Sequence, residues 1–241
     1  MRVLAAVFCA LGPLGAQADI TAAQYRDVTN VYGHGAVEGG EYAGLEVHLS
    51  DGRVLGTAAH NAVYEDTAPR LVDLNSDGNP EIITVVSRFQ TGAAIRIWSE
   101  VETADHPLGS TVAVVAEIDP IGTRNRWLAI AGAADIDGDG VMEIAYVDRP
   151  HLAKTLRILE VRVNGDDWEL VPEASMRGVT NHRFGDRFII GGIRECGSDP
   201  EIILASADWT RLLAVQYGEN QFTTQDLGLY SDASMQDAMG C

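Results

Sequence analysis

Two short stretches of the chain carry acidic or amide side chains at alternating positions, a spacing that can bind a cation. They are residues 73–81 (DLNSDGNPE) and residues 135–143 (DIDGDGVME). On a tight turn the side chains at positions 1, 3 and 5 point to a common centre, and calcium prefers six to eight oxygen ligands. Glycine at position 6 permits the sharp turn that this convergence needs. The pattern therefore predicts one calcium site in each stretch.

The predicted ligands occupy the same positions in both loops: the side chains at 1, 3, 5 and 9 and the backbone carbonyl at 7. They are Asp73, Asn75, Asp77, Asn79 and Glu81 in the first loop, and Asp135, Asp137, Asp139, Val141 and Glu143 in the second. An EF-hand differs, because its bidentate glutamate is at position 12 and helices flank it. Magnesium is less expected, since it demands tighter octahedral geometry. The alternative is an ordinary Asp-Gly hairpin turn that needs no metal.

The elements that would position these loops repeat about every 60 residues. Each repeat has apolar runs rich in branched residues, bounded by turns, which predict short strands. The predicted strands are 82–86, 94–99 and 112–118 in one repeat, 144–147, 156–163 and 168–171 in the next, and 202–205, 212–217 and 222–227 in the last. A further strand precedes each loop. Helical periodicity is weak except near residues 233–239.

Four antiparallel strands per repeat predict an all-β fold, a β-propeller of four blades. The predicted blades are residues 20–65, 66–122, 123–178 and 179–241. The first is degenerate, because it lacks the acidic loop and has only a hairpin turn at Asp51-Gly52. A closed ring is favoured because open sheet edges invite aggregation. An open arrangement of three and a half blades and a β-sandwich are the alternatives.

The acidic loop followed by an isoleucine-rich strand resembles FG-GAP/VCBS repeats, the kind found in integrin-α-like propellers, and more specifically those of small exported bacterial proteins. The resemblance covers residues from about 66 to 206. It implies that the loop joins the first two strands of a blade and that both ligand sets bind calcium. The family more often has Asp at position 9, where this chain has Glu. The Phe-Gly-Gly-Ala-Pro motif is absent as such.

The third repeat departs from the pattern, because alignment on Glu201 puts Ile193 at position 1 and Gly197 at position 5. No calcium is expected there. Cys196 lies in this loop, and we expect it to form a disulfide with Cys241 that braces the last blade in place of the metal. Two free thiols or an intermolecular bond are the alternatives.

Residues 1–18 read as a secretory signal, with Arg2, an apolar run from Val3 to Gly15 and the small-x-small site Ala16-Gln17-Ala18. We therefore expect an exported protein, periplasmic or extracellular, without a membrane span and monomeric. The formal net charge is −18. Such acidity disfavours nucleic acid as a partner and suits the attraction of cations.

A set of polar and aromatic residues precedes the first strand or follows the second strand of successive repeats, and equivalent loops of a propeller gather on one face. The set comprises Arg70, Arg126, Trp127, Asp148, Arg149, His151, His182, Arg183, Asp208, Trp209 and Arg211. It predicts a face that binds an anionic or sugar-like ligand, with inter-blade ion pairing and strand-end packing as the alternative. No catalytic motif is recognisable. The function expected is a calcium-stabilised binding module for a protein or glycan ligand, and the alternatives are a propeller hydrolase or lyase that uses this face, and a structural scaffold.

Overall fold

The computed structural model describes residues 18–103, 110–197 and 199–241, so the predicted signal lies almost entirely outside the described residues. The described part is built of antiparallel strands with one short helix, which confirms the all-β prediction. The elements are β1 (Ile20–Val28), β2 (Tyr42–Leu49), β3 (Val54–Ala58), β4 (Ala62–Tyr64), β5 (Arg70–Val72), β6 (Glu81–Arg88), β7 (Gly92–Glu102), β8 (Ser110–Glu117), β9 (Leu128–Ala134), β10 (Glu143–Asp148), β11 (Thr155–Asn164), β12 (Asp167–Arg177), β13 (Val179–Thr180), β14 (Gly192–Arg194), β15 (Glu201–Ser206), β16 (Arg211–Gly218), β17 (Gln221–Leu229) and α1 (Asp232–Met239).

The strands form three sheets. The first has eight strands in the order β1-β2-β4-β6-β7-β8, with β3 also paired to β2 and β5 to β6. The second is the meander β12-β11-β10-β9, and the third is β13-β15-β16-β17 with β14 also paired to β15. Among the described strands, no sheet closes on itself. The predicted boundary near residue 65 lies inside the first sheet, because β4 and β5 both pair with β6.

Three four-stranded units lie within these sheets. They are β5–β8, β9–β12 and β14–β17, and in each the loop at the start joins the first strand to the second. The first strand is continuous only in the middle unit. In the other two units a separate short strand, β4 or β13, pairs with the far end of the second strand.

Burial decreases from the second strand of a unit outward. All six residues of β10 are buried, and so are seven of the eight residues of β6. Strand β12, at the edge of its sheet, has no buried residue. Both faces of β10 are covered, one by the first sheet and the other by the third. Strand β6 packs on the second sheet with one face and on β1, β2 and β4 of its own sheet with the other, so its runs are apolar on both faces.

Apolar clusters hold the units together face to face. One joins side chains of the first sheet, such as Ile83 and Ile95, to Leu128 and Ile144 of the second. Another joins Val147 of the second sheet and its neighbours to the third sheet. Consecutive units therefore share their cores along the chain.

The first and last parts of the chain also meet, through their loops. The backbone N–H of Gly185 donates to the carbonyl of Ala36 at 2.9 Å, and that of Glu38 donates to the carbonyl of Asp186 at 3.2 Å. The segment between β1 and β2 therefore contacts the connection between β13 and β14.

Candidate metal loops and the polar loop face

The loop between β9 and β10 folds around the carboxylate of Asp135. Its Oδ1 accepts a hydrogen bond from the backbone N–H of Gly138 at 2.8 Å, and its Oδ2 accepts one from Gly140 at 3.1 Å. Gly140 has a φ of +91°, a conformation that glycine adopts without strain. Asp139 accepts from the N–H of Val141 at 2.8 Å. The predicted tight turn is thus present.

Glu143, at position 9, is the buried carboxylate of this loop. It is 1% exposed, and its Oε2 accepts the backbone N–H of Ile136 at 2.6 Å. Burial, together with the nearby carboxylates of Asp137, Glu173 and Asp139, raises the pKa of Glu143 to about 8. A cation at this loop would offset both the desolvation of Glu143 and its repulsion from the other carboxylates, because an opposite charge favours the ionised carboxyl.

Three of the predicted ligands converge. Oxygen atoms of Asp135, Asp137 and Glu143 all lie within 4.8 Å of one another. Within the described ranges this is the only group of three or more His, Cys, Asp or Glu side chains so close together. The carboxylate of Asp139 is not part of it. An all-oxygen, mostly anionic donor set with one buried member fits calcium better than a thiolate- or imidazole-binding metal.

The loop between β5 and β6 repeats this arrangement. Asp73 Oδ2 accepts from Gly78 at 2.9 Å, Asp77 Oδ1 accepts from Asn79 at 2.7 Å, and Glu81 Oε2 accepts from Leu74 at 2.9 Å. The same three positions accept the equivalent hydrogen bonds in the second loop.

The first loop differs from the second at position 3. Asn75 there donates its amide to Asp77 Oδ2 at 3.0 Å. With an amide at this position, the described residues of the first loop form no close trio of carboxylates. Glu81 is 1% exposed, and burial raises its pKa to about 7. The first loop therefore accepts the same three backbone hydrogen bonds as the second but has one negative charge fewer.

The third loop carries the predicted disulfide. Cys196 and Cys241 are bonded, with 5.5 Å between their Cα atoms. Ile193, at the predicted position 1, lies in β14 and pairs with Ile202 of β15. The prediction of an intramolecular disulfide is confirmed, and it suggests a non-reducing compartment.

Only part of the predicted polar face comes together, around Trp127. This ring is 1% exposed, and its Nε1 donates to the carbonyl of Glu65 at 2.5 Å. The rings of His151 and His182 lie 6.0 and 4.7 Å from it. Trp127 is therefore buried among these loops and is not exposed on the predicted binding face.

The two histidines form a directed hydrogen-bond chain. His182 Nε2 lies 3.0 Å from the carbonyl of Asp186, so it must carry the proton. His182 Nδ1 then accepts from His151 Nε2, at 2.9 Å. Burial, with smaller contributions from the neighbouring His182, His34 and Lys154, lowers the pKa of His151 to about 4. Burial also lowers the pKa of His182, so the site favours the neutral form of both rings.

The side chains of the other predicted face residues do not join this ring cluster and mostly contact residues near them in sequence. Arg70 pairs with Asp66, Arg149 with Asp148 and Arg211 with Asp226; Arg126 donates to the carbonyl of Asn125, and Asp208 accepts from Ser206 and Thr210. Arg183 lies over the half-buried ring of Trp209, 3.9 Å from the ring centre.

Sequence reasoning missed a buried pair beside the histidines. Glu65 is fully buried, and its Oε1 lies 2.6 Å from His34 Nδ1 while its Oε2 accepts the Ser87 hydroxyl at 2.5 Å. Glu41 accepts three backbone N–H groups, those of residues 32–34, and so shapes the turn that holds His34. The local sequence marks this segment only as a glycine-rich loop.

Comparison with known proteins adds no identification. No family model matches the chain. No curated protein matches it significantly. Within the described residues, no helix has the length and apolarity needed to cross a membrane.

Proposed function

We propose that the chain is an exported, calcium-stabilised β-propeller of the FG-GAP/VCBS type that acts as a binding module. The observation that carries this proposal is the convergence of Asp135, Asp137 and Glu143 in a loop whose backbone frame recurs one repeat earlier. The ligand we expect is a protein or a glycan at the cell envelope.

The repeated topology supports the propeller part of the proposal. Three units share one strand order, and apolar clusters join each unit to the next face to face, as in propeller blades. The contacts of Ala36 and Glu38 with residues 185 and 186 bring the ends of the array together. Strands β1–β4 would supply the degenerate fourth blade.

Charge supports the calcium part. Asp135, Asp137, Glu143 and the nearby Glu173 all face one region, and each further carboxylate makes the ionised form of the others more costly. When bound, calcium would supply the missing positive charge and brace the hairpin. Extracellular modules bind calcium with Kd values of roughly 0.1–1 mM. At tenfold excess over Kd, one site contributes about 1.4 kcal/mol to the free energy of unfolding.

Calorimetric titration of chelator-treated protein with calcium, paired with thermal melting, tests the proposal. We expect saturable binding and a raised Tm, with a weaker response to magnesium. Asp137→Asn should weaken binding at least about tenfold, because it removes one anionic ligand. The control Asp199→Asn changes an exposed aspartate in the loop without acidic ligands and should leave affinity unchanged.

The outcomes separate the parts of the proposal. Absence of calcium binding, or equal effects of the two substitutions, would reject the metal sites. A screen of glycans and envelope proteins addresses the ligand, and failure to bind any of them would favour a structural scaffold.

A further inference from the structure

An open cavity of about 620 Å³ lies between α1 and the connection from β13 to β14. Its apolar lining includes Ile190, Met235 and Met239, and Phe188 stands near it with 67% of its surface exposed. Cavities of this volume suit small organic ligands, and methionine side chains adapt to ligand shape. The cavity is separate from both acidic loops.

Four charged side chains line the same cavity without forming an ion pair with any described residue, although Asp232 accepts a hydrogen bond from the hydroxyl of Tyr230 at 2.9 Å. They are Arg183, Arg187, Asp186 and Asp232. Across the described part of the chain, most arginines lie against a carboxylate, but none of these four takes part in an ion pair. Two charges of each sign therefore face one apolar space.

Stacking fixes the orientation of one of these arginines. The guanidinium of Arg183 lies 3.9 Å from the centre of the Trp209 ring and 5.1 Å from that of Tyr230. An arginine stacked on aromatic faces keeps its N–H edge available for an anion, and less side-chain entropy is lost when the anion binds.

The helical wall of the cavity is capped at its start and fastened to the fold at its end. Ser231 and Ser234 form a capping box at the start of α1. At the other end Arg194 donates to the carbonyl of Ala238 at 2.6 Å, and Cys241 is bonded to Cys196. A fastened wall preserves the cavity without a ligand, which lowers the cost of binding.

We propose that this cavity binds a zwitterionic ligand with an apolar side chain, either a free α-amino acid or a short peptide. A ligand with one charge would meet a like charge in the lining, whereas a zwitterion satisfies both signs while its side chain contacts the methionines and Phe188. The inference rests on the proposed binding function and names its ligand class. It does not depend on calcium.

Titration calorimetry with five phenylalanine compounds tests this inference. The compounds are phenylalanine, Phe-Phe, N-acetylphenylalanine, phenylalanine amide and N-acetylphenylalanine amide. We expect one or both zwitterions to bind, and loss of either charge to weaken binding about tenfold or more. Tighter binding of Phe-Phe than of phenylalanine would identify a peptide as the ligand, and the reverse order an amino acid.

Two substitutions locate the binding. Arg183→Gln and Arg187→Gln should each reduce the affinity for the zwitterion, whereas Arg177→Gln, at an exposed arginine outside the cavity, should not. Melting curves check that each variant is folded. Equal binding of the doubly blocked compound, no binding of any compound at millimolar concentration, or equal effects of all three substitutions would overturn the inference. Binding of a glycan or an envelope protein by a chain that ignores all five compounds would reject this inference and leave the binding module standing.

Discussion

Burial of Glu81 and Glu143 at the start of β6 and β10 carries a physical cost that their hydrogen bonds offset only in part. Each accepts a backbone N–H, which favours the ionised form, yet burial raises both pKa values well above the usual range. A surface turn without a metal has no need to bury its last acid. The position of these two carboxylates is therefore the strongest residue-level argument for a cation at the loops.

The half-buried His151 makes stability depend on pH. The pKa of His151 is about 4 in the folded chain, chiefly because of burial, and about 6.5 in an unfolded one. The unfolded state therefore binds the extra proton first. The stability that neutral His151 contributes is complete above pH 6.5 and is lost as the pH falls from 6.5 towards 4.

We accordingly expect the parent to lose more stability than His151→Gln when the pH falls from 7.5 to 5. The difference should be about 1 kcal/mol after allowance for solvent screening, measured by urea unfolding. His60→Gln, at an exposed histidine, serves as the control and should follow the parent. Parallel pH profiles of the parent and His151→Gln would contradict the expectation.

At the scale of single residues, the sequence predicts contacts within one turn but does not predict contacts between distant segments. The alternating acids, the glycine at position 6 and the acid at position 9 are all within nine residues, so their convergence follows from turn geometry. The pair of His34 and Glu65 forms only because β4 lies beside β6 and the preceding glycine-rich loop folds back. No periodicity in the chain encodes that contact.

At the scale of elements, the strands that sequence predicts best are those buried on both faces. Strands β6, β10 and β15 contain the predicted runs 82–86, 144–147 and 202–205, because branched apolar residues between turns leave few other conformations. The predicted helical tendency at 233–239 agrees with α1. Short strands such as β4 and β13 are not predicted from the sequence, because two or three residues form a strand only when they can hydrogen-bond to a longer neighbouring strand.

The connection from β13 to β14 depends on Gly191. This residue has a φ of +73°, and an added Cβ would lie 2.0 Å from the carbonyl oxygen of Ile203. Gly191→Ala therefore combines backbone strain with a steric clash against β15. We expect a loss of about 3 kcal/mol or more in the free energy of unfolding, measured by denaturant titration.

Gly178→Ala is the matched control. Gly178 also has a positive φ, of +97°, but a Cβ added there would meet no atom within 4 Å. Only the backbone penalty applies at this position, about 1 kcal/mol. Similar losses in the two variants would show that the close approach of Gly191 to β15 does not matter for stability.

At the scale of the whole molecule, stability is shared between neighbours. The first sheet packs on the second and the second on the third, so each unit depends on the next. The last unit has a small separate core at its outer end, formed by Ile203, Leu212, Ala214 and Met235. That unit also lacks the acidic loop. This unit, β14–β17, therefore depends most on an additional stabilising interaction.

The disulfide supplies that interaction. Cys196 and Cys241 are 45 residues apart in sequence, and in the chain-entropy model closure of such a loop stabilises the fold by roughly 4 kcal/mol. For a chain of this length the Tm should fall by about 8–16 °C on reduction. We expect this fall in a thermal melt with reductant, and an equal fall for the double substitution Cys196→Ser and Cys241→Ser.

The calcium response of the reduced protein shows whether the disulfide stabilises only the last unit or all three units. The bonded cysteines hold α1 and β14, whereas the two acidic loops lie in the first and second sheets. Calcium affinity at those loops should therefore survive reduction while they stay folded, and the metal should raise the Tm by a similar amount with and without reductant. An unchanged Tm on reduction would show that the apolar contacts of α1 alone hold the last unit. Loss of calcium binding well below the Tm of the reduced chain would show instead that the three units unfold as one.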